Sequence, residues 1–317
     1  MINKNLIIMF LAVLAVSCTQ GKKAEQFKAL PFPDCIPPGM MDNPQDRAEY
    51  LAEHYWDDIT DPVRKYPSDS ILVSGVRKEE IEQKFADWTS VLDMVSFQKA
   101  EKAVSRLYER ALTCERTDSS SNVFEIFTEL SYKYLYDPNS PMRNEDYYNV
   151  FVRKLALYEG LSPEMKRKYD REARMSALNR TGTVAADFRF ADRNGRINTL
   201  HGIKAPLTLL FFSNPGCNAC MNIINVLREE PAIASMIVSG KMAVLNIYID
   251  EDLQGWRDYM PIYPEEWYNG FDPDLVIRTN NIYDVRAIPS LYLLDEEKRV
   301  ILKDAPENRL FNLLLSR

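Results

Sequence analysis

Between Asp42 and Asn179 apolar residues recur every three or four positions. Ile81, Phe85, Trp88, Leu92 and Val95 form one stripe. Val123, Phe124, Phe127, Leu130, Tyr134 and Leu135 form a second, and Tyr147, Val150, Phe151, Leu155 and Tyr158 a third, interrupted only by Lys154. This period places each set on one face of a helix. Breakers separate the stripes, at Asp137-Pro138-Asn139-Ser140-Pro141 and at Gly160-Leu161-Ser162-Pro163. Ser162 is the expected N-cap of a helix that opens with Pro163. The pattern predicts five or six helices, without the fixed-period repeat of a solenoid.

From Thr183 the period changes. Phe188 to Phe190 and Ile197 to Leu200 flank Asp192-Arg193-Asn194-Gly195, whose Asn-Gly pair signals a hairpin. Leu207 to Phe212 is a continuous apolar run, as a strand covered on both faces requires. Cys220 to Leu227 reads as helix, Met242 to Ile249 as a second buried strand, Ser290 to Leu294 as a third and Arg299 to Leu302 as a fourth. Asn308 to Leu315 closes the chain as an amphipathic helix. Strands alternating with helices, then two adjacent strands and a helix, predict an α/β domain with a mixed sheet behind an all-α domain. The length of 317 residues also suggests about two domains.

The first residues follow neither pattern. Lys4 precedes the apolar run Leu6 to Val16, which is too short to span a bilayer but suits a secretory signal. The run ends in Ala15-Val16-Ser17-Cys18. Small residues before a cysteine resemble the lipobox of bacterial lipoproteins, with Ala15 where Leu is more usual. The resemblance implies cleavage after residue 17 and acylation of Cys18, and several acyl chains hold a protein stably in a bilayer. The alternative is an ordinary signal peptide with Cys18 incidental. The expected organisation is a signal peptide over 1–17, a polar, Pro-containing tether over 18–41, a helical domain over 42–180 and an α/β domain over 181–317. The tether has no acidic cluster to mark outer-surface display, so the expected location is the outer membrane, facing the periplasm.

Composition narrows the chemistry. The net charge is −7, which opposes nucleic-acid binding, since phosphate contacts need a basic face. The only two histidines, His54 and His201, exclude a His-rich metal site and leave little for a His-based triad. Five cysteines are present. With Cys18 assigned to lipid, Cys35, Cys114, Cys217 and Cys220 remain. Cys35 and Cys114 are either a structural disulfide or two free thiols.

Cys217 and Cys220 stand where a buried strand turns into a helix, in Phe211-Phe212-Ser213-Asn214-Pro215-Gly216-Cys217-Asn218-Ala219-Cys220. Two intervening residues at a helix start bring the sulfurs within disulfide reach. The first thiol then meets the unpaired N–H groups and the positive end of the helix dipole, which stabilise its thiolate. Cys217 is thus the expected nucleophile and Cys220 the resolving thiol. A zinc site would need two further ligands, and Cys35, Cys114 and His201 form no paired motif.

The second element is Ile288-Pro289 at the head of the apolar strand Ser290 to Leu294. Together with the C-x-x-C pair it resembles the thioredoxin superfamily. The resemblance covers about residues 181–317. It implies a cis bond before Pro289, packing of that proline beside the redox pair, and an Ile288 backbone that offers ladder hydrogen bonds to substrate. Residues Glu251 to Asn281 are the expected insertion, as in the membrane-tethered, thiol-reducing TlpA/ResA branch. Its aromatic residues Trp256, Tyr259, Tyr263, Trp267, Tyr268 and Phe271 either pack onto the sheet or line a substrate groove. The helical part, with Leu135 to Pro141 and Leu178-Asn179-Arg180, looks like a domain of unknown function that precedes thioredoxin-like domains in some Gram-negative lipoproteins.

The departures are specific. Gly216 stands where Trp often precedes the nucleophile, and Asn218-Ala219 lack the frequent proline. Phe211 occupies the place of the buried acid of thioredoxins. The expectation is a lipid-anchored, extracytoplasmic thiol–disulfide oxidoreductase that reduces cysteines of exported proteins. It would use no cofactor beyond the Cys217–Cys220 disulfide and would depend on a membrane electron donor. Two alternatives are a non-catalytic interaction lipoprotein with a structural disulfide, and a thiol peroxidase. The second is opposed by Leu210 and Asn214, which stand where peroxiredoxins place Pro and Thr.

Overall fold

The computed structural model describes residues 28–66 and 71–316. The signal peptide, the lipid-anchor site at Cys18 and the first part of the tether lie outside these residues. Among the described residues no helix is long and apolar enough to cross a membrane.

The first half begins with α1 (Pro44–His54), whose N-cap is Asn43. A two-stranded antiparallel ribbon, β1 (Leu72–Val73) and β2 (Val76–Arg77), leads into α2 (Lys78–Leu92). There follow α3 (Phe97–Thr117), α4 (Val123–Leu135), α5 (Glu145–Leu155) and α6 (Pro163–Ser176). Side-chain caps set several starts: Ser96 accepts from the Lys99 N–H, Asn144 from the Tyr147 N–H and Ser162 from the Met165 N–H, the last as its sequence predicts. The apolar stripes converge on one core in which Trp56, Phe85, Trp88, Phe127 and Phe151 are buried.

Leu30 and Phe32, within the expected tether, dock on the helical half. Leu30 donates its N–H to the Gly75 carbonyl at 2.8 Å, and the Phe32 N–H reaches Glu80 Oε1 at 3.0 Å. The Phe32 ring is buried edge-on against Trp56, with centroids 5.6 Å apart. One large aromatic in a polar stretch is enough to dock it, because the apolar area it removes from water offsets the ordering of a few residues.

The second half contains β3 (Arg189–Asp192), β4 (Ile197–Thr199), β5 (Leu207–Phe212), α7 (Asn218–Glu229), α8 (Pro231–Val238), β6 (Met242–Tyr248), α9 (Leu253–Tyr259), β7 (Tyr268–Phe271), α10 (Val276–Thr279), β8 (Ser290–Leu294), β9 (Val300–Leu302) and α11 (Glu307–Leu315). Seven strands form a mixed sheet in the order β4-β3-β7-β6-β5-β8-β9. The strands β5, β6 and β7 run parallel, while β8 is antiparallel to β5. Alternation along β5 sends Leu207, Leu209 and Phe211 towards α7, α8 and α11, and Leu210 and Phe212 to the opposite core with Phe190 and Tyr283. The predicted hairpin is present, with Gly195 at φ +75°.

The region read as an insertion supplies a strand of the sheet. β7 pairs with both β6 and β3. A Cβ at Gly270 would lie 2.7 Å from the Phe190 ring and 2.8 Å from the Ala191 carbonyl oxygen, so this register requires glycine. A strand whose centre needs a residue of low β propensity carries little β signal in its sequence.

The two halves are joined by buried charge. Arg286, in the approach to β8, donates to Glu145 Oε1 at 2.6 Å and to Asp304 Oδ2 at 3.0 Å. Its guanidinium lies 3.9 Å from the centroid of the Tyr136 ring, whose hydroxyl donates to Asp284 at 2.9 Å. Lys303 reaches Glu145 Oε2 at 2.7 Å and the Ser176 carbonyl at 2.6 Å. Arg143 donates to the carbonyls of Asp304 at 2.8 Å and Ala305 at 3.0 Å. Glu145 opens α5, where the helix dipole also favours its negative charge. Burial first, and then the Glu145 charge, pushes the Asp304 carboxyl up to about 6.

Removing one member of such a cluster strands the others. We expect Arg286→Met to destabilise the protein by about 3–5 kcal/mol, read as a lowered urea midpoint. Arg286→Lys should recover only part of this, because an ammonium cannot reproduce the planar fork. An unchanged midpoint in Arg286→Met would show that the cluster does not hold the halves together.

Candidate functional site

The site is built where β5 ends. The chain leaves the sheet at Phe212, turns through 213–216 and enters α7 at Asn218. Gly216 has φ +73°, a left-handed conformation that disfavours a side chain with Cβ. This accounts for glycine where Trp is common: the turn here uses its last residue for backbone geometry.

Cys217 is the N-cap of α7. Its Sγ accepts from the Cys220 N–H at 3.1 Å, and its carbonyl takes the Met221 N–H at 3.0 Å. The two cysteines form a disulfide, with Cα atoms 5.2 Å apart. Their surroundings differ. Cys217 is half-buried at the rim, whereas Cys220 is 2% exposed among Ile223, Ile224 and Leu227. An incoming group can reach the first sulfur and is kept from the second.

The sheet topology brings the proline to this pair. Because β8 runs antiparallel to β5, its first residue, Ser290, pairs with Phe212, the last of β5. Residues 288–289 therefore lie at the end of the sheet from which the C-x-x-C turn emerges. The Ile288–Pro289 bond is cis. Among the described residues, neither the N–H nor the C=O of Ile288 has a hydrogen-bond partner. Ser290 Oγ donates to Asp304 Oδ1 at 2.7 Å, which ties this end of β8 to the buried charge cluster.

The place of the thioredoxin acid is apolar here, with amides beside it. Phe211 pairs with Asn246 of β6, which pairs with Asn269 of β7. Asn246 Nδ2 donates to Asn269 Oδ1 at 3.1 Å, and Ser213 Oγ donates to Asn246 Oδ1 and lies 3.4 Å from the Tyr263 hydroxyl. Burial pushes the Tyr263 hydroxyl up from its ordinary value. This row contains no carboxylate. The sequence showed the loss of the acid at Phe211. The amide pair was not visible, because only strand register places Asn246 and Asn269 in that row.

The other candidates fall as follows. Asp250 accepts from Asn214 Nδ2 at 2.7 Å and pairs with Arg278 at 2.6 Å, so it braces the turn before Cys217. Glu251 is exposed. Trp256, Tyr263 and Trp267 are buried in the core under α7, Tyr259 and Phe271 pack partly against it, and Tyr268 is exposed at the rim of the sheet. Cys35 and Cys114 are free thiols in the helical half, and burial and the Asp57 charge push the Cys35 thiol up to about 11. His54 pairs with Asp57 at 2.8 Å, and His201 Nε2 lies 2.8 Å from the Ala185 carbonyl oxygen, both in structural contacts. Among the described residues no group of three or more His, Cys, Asp or Glu side chains could hold a metal ion.

A cleft of about 460 Å³ opens beside the pair. Ala219, Ile223, Ile288 and Pro289 line one side, and Pro138 and Asn139 of the helical half line the other.

A seven-stranded mixed sheet with C-x-x-C at a helix start and a cis-proline beside it defines a thioredoxin-like protein. The solved structure of a thioredoxin-like protein from Bacteroides caccae is 35% identical, with a TM-score of 0.77 over 90% of this chain and 98% of that one. The solved C-terminal domain of an uncharacterized protein from Bacteroides fragilis is 44% identical over 43% of this chain and 98% of that one, with a TM-score of 0.42. Comparison with curated proteins returns no match. The family model described as a domain of unknown function, DUF5106, matches residues 15–179, so the chain belongs to the DUF5106 family.

The capping geometry is directly testable. A serine at 217 keeps an oxygen to accept the Cys220 N–H, and an alanine does not. Cys217→Ser should therefore be more stable than Cys217→Ala by about 1 kcal/mol in denaturant unfolding. Equal stabilities would mean that the residue does not cap α7 in solution.

Proposed function

We propose that this protein is a thiol–disulfide oxidoreductase working as a reductase of protein disulfides. The observation that carries the reading is the asymmetry of the pair: Cys217 is reachable and caps α7, while Cys220 is buried one turn behind it. In the reduced protein the helix terminus and its N–H groups favour the Cys217 thiolate. That thiolate attacks one sulfur of a substrate disulfide. A Cys217–substrate bond forms, and the other substrate sulfur leaves as a thiolate and takes a proton. The Cys220 thiol then loses its proton and attacks Cys217 Sγ, which closes the Cys217–Cys220 disulfide and releases the second substrate thiol. Two electrons pass to the substrate, and a dithiol donor must restore the pair. No carboxylate stands in the row beside Phe211, so the Cys220 proton leaves to the departing thiolate or to water. The open backbone of Ile288 supports pairing with an extended substrate segment, as strand addition requires.

The experiment is trapping with Cys220→Ala in the full chain. Without its resolving thiol, the protein should accumulate mixed disulfides between Cys217 and exported proteins, and these should vanish when Cys217 is also replaced. A folded Cys220→Ala protein that reacts with small thiol reagents yet traps no protein would overturn the reading. Titration of the wild-type pair against a dithiol buffer tests the direction: a reductase should lie below about −230 mV, the reducing side of the glutaredoxins.

We further propose that the protein is lipid-anchored at Cys18 in the outer membrane and faces the periplasm. Its substrates would be exported proteins, and a membrane protein would supply its electrons. The apolar run Leu6 to Val16 ending in Ala15-Val16-Ser17-Cys18 supports this placement. Cys18→Ser should move the protein from the membrane fraction to the soluble fraction; retention in the membrane by that variant would exclude the anchor.

A further inference from the structure

The turn 137–143 of the helical half is built as a fixed wall. Asn139 donates its backbone N–H at 2.8 Å and its amide Nδ2 at 3.1 Å to Asp137 Oδ1. Ser140 Oγ is tied to the Tyr134 carbonyl at 2.6 Å, and Arg143 is fastened to the Asp304 and Ala305 carbonyls of the other half. This rigid turn faces Ile288, Pro289 and the start of α11 across the cleft beside the redox pair.

The cleft does not end there. A second opening of about 320 Å³ shares Pro141, Arg143, Pro306 and Asn308 with the first, and continues between the end of α2 and α11 as far as Asp93 and Arg309. Those two side chains pair with each other at 3.3 Å. Near the cysteines the walls are mainly prolines and aliphatic side chains, and the Arg143 guanidinium is already committed to carbonyls. Glu307 is the one carboxylate there, and it is exposed to water. Two amides, Asn139 and Asn308, are exposed on opposite walls, one from each half of the chain.

From this we infer that the helical half is the substrate-selecting wall of the site. An extended segment of a cysteine-bearing polypeptide lies in the interdomain cleft, with apolar or uncharged residues flanking its cysteine and its backbone amides met by Asn139 and Asn308. The inference rests on the oxidoreductase reading and adds the substrate class. A mainly apolar lining, whose one carboxylate, Glu307, stays in water, favours an uncharged sequence, because a charged flank would lose water without gaining a buried partner. A cleft that continues away from the cysteines into a second opening suits an extended chain rather than a folded surface. Walls fixed before binding spare the complex the cost of ordering them.

The test uses the full chain and two kinds of substrate: glutathione disulfide, and short peptides whose cysteine is in a mixed disulfide and is flanked by Leu and Ser, by Lys or by Glu. The wild type should reduce the Leu/Ser peptide faster than either charged one. The double substitution Asn139→Trp with Asn308→Trp fills the cleft from both walls. It should slow the Leu/Ser peptide about tenfold more than it slows glutathione disulfide, the order of discrimination a shaped apolar pocket achieves. Asn308→Glu, at an exposed position in the first turn of α11, should shift the preference to the Lys-flanked peptide, which keeps the inference testable if the double variant does not fold. Unchanged peptide rates and preferences in both variants, with a reactive wild type, would overturn the inference and leave the oxidoreductase reading standing. A wild type that reduces neither glutathione disulfide nor any peptide would sink that reading, and the inference with it.

Discussion

A guanidinium taken out of water must find its charge partners inside the protein, and Arg286 finds them on both halves of the chain. Glu145 comes from the helical half, Asp304 from the loop after β9, and the Tyr136 ring covers the guanidinium face. Lys303 closes the group by pairing with the second Glu145 oxygen. Any relative movement of the halves would separate charges that are shielded from solvent, where separation is expensive. Apolar contacts tolerate sliding, whereas a set of directional, charge-assisted bonds fixes one arrangement. The buried charge cluster thus helps fix the orientation of the helical half against the other half.

The same cluster reaches the chemistry through a short stretch of chain. Arg286 lies three residues before Pro289, and Asp304 also receives the Ser290 hydroxyl directly after it. The approach to β8 is held from behind, which keeps the Ile288 backbone turned to the cleft. The opposite side of the site is held by the end of β5, where Gly216 turns the chain and Cys217 caps α7. The disulfide and the Ile288 backbone are thereby positioned by two neighbouring strands of one sheet, a more rigid support than a loop gives.

Much of this was legible in the sequence, for local reasons. The strand Ser290–Leu294, the helix after Cys217 and the cap at Ser162 depend on neighbours within a few residues, and they stand where the pattern places them. The C-x-x-C pair and Pro289 were visible because their chemistry restricts residue type at fixed positions. What stayed hidden depends on distant partners. β7 needs Gly270 to pass Phe190 and Ala191, so its sequence lacks the alternation that marks a strand. Phe32 docks an otherwise polar segment through Trp56, far along the chain. Glu145, Arg286 and Asp304 look like surface charges in a linear reading, since nothing local shows that they share one buried site.

The loss of the buried acid gains meaning in this setting. An acid below the resolving cysteine takes its proton and also places a negative charge under the disulfide. In this protein Phe211, Asn246 and Asn269 leave that place neutral, and Asp250, which braces the turn before Cys217, is held by Asn214 and Arg278. Glu145 and Asp304 are buried at the domain junction, where Arg286, Lys303 and Arg143 compensate them. The helix terminus then acts on the pair without a buried acid beneath it, and under the proposed function it would favour the thiolate at Cys217 over the buried sulfur at Cys220. Under the proposed function, a site arranged in this way would separate its tasks: backbone dipoles would activate the nucleophile, buried side-chain charges hold the scaffold, and the helical half would supply the wall past which a substrate chain enters.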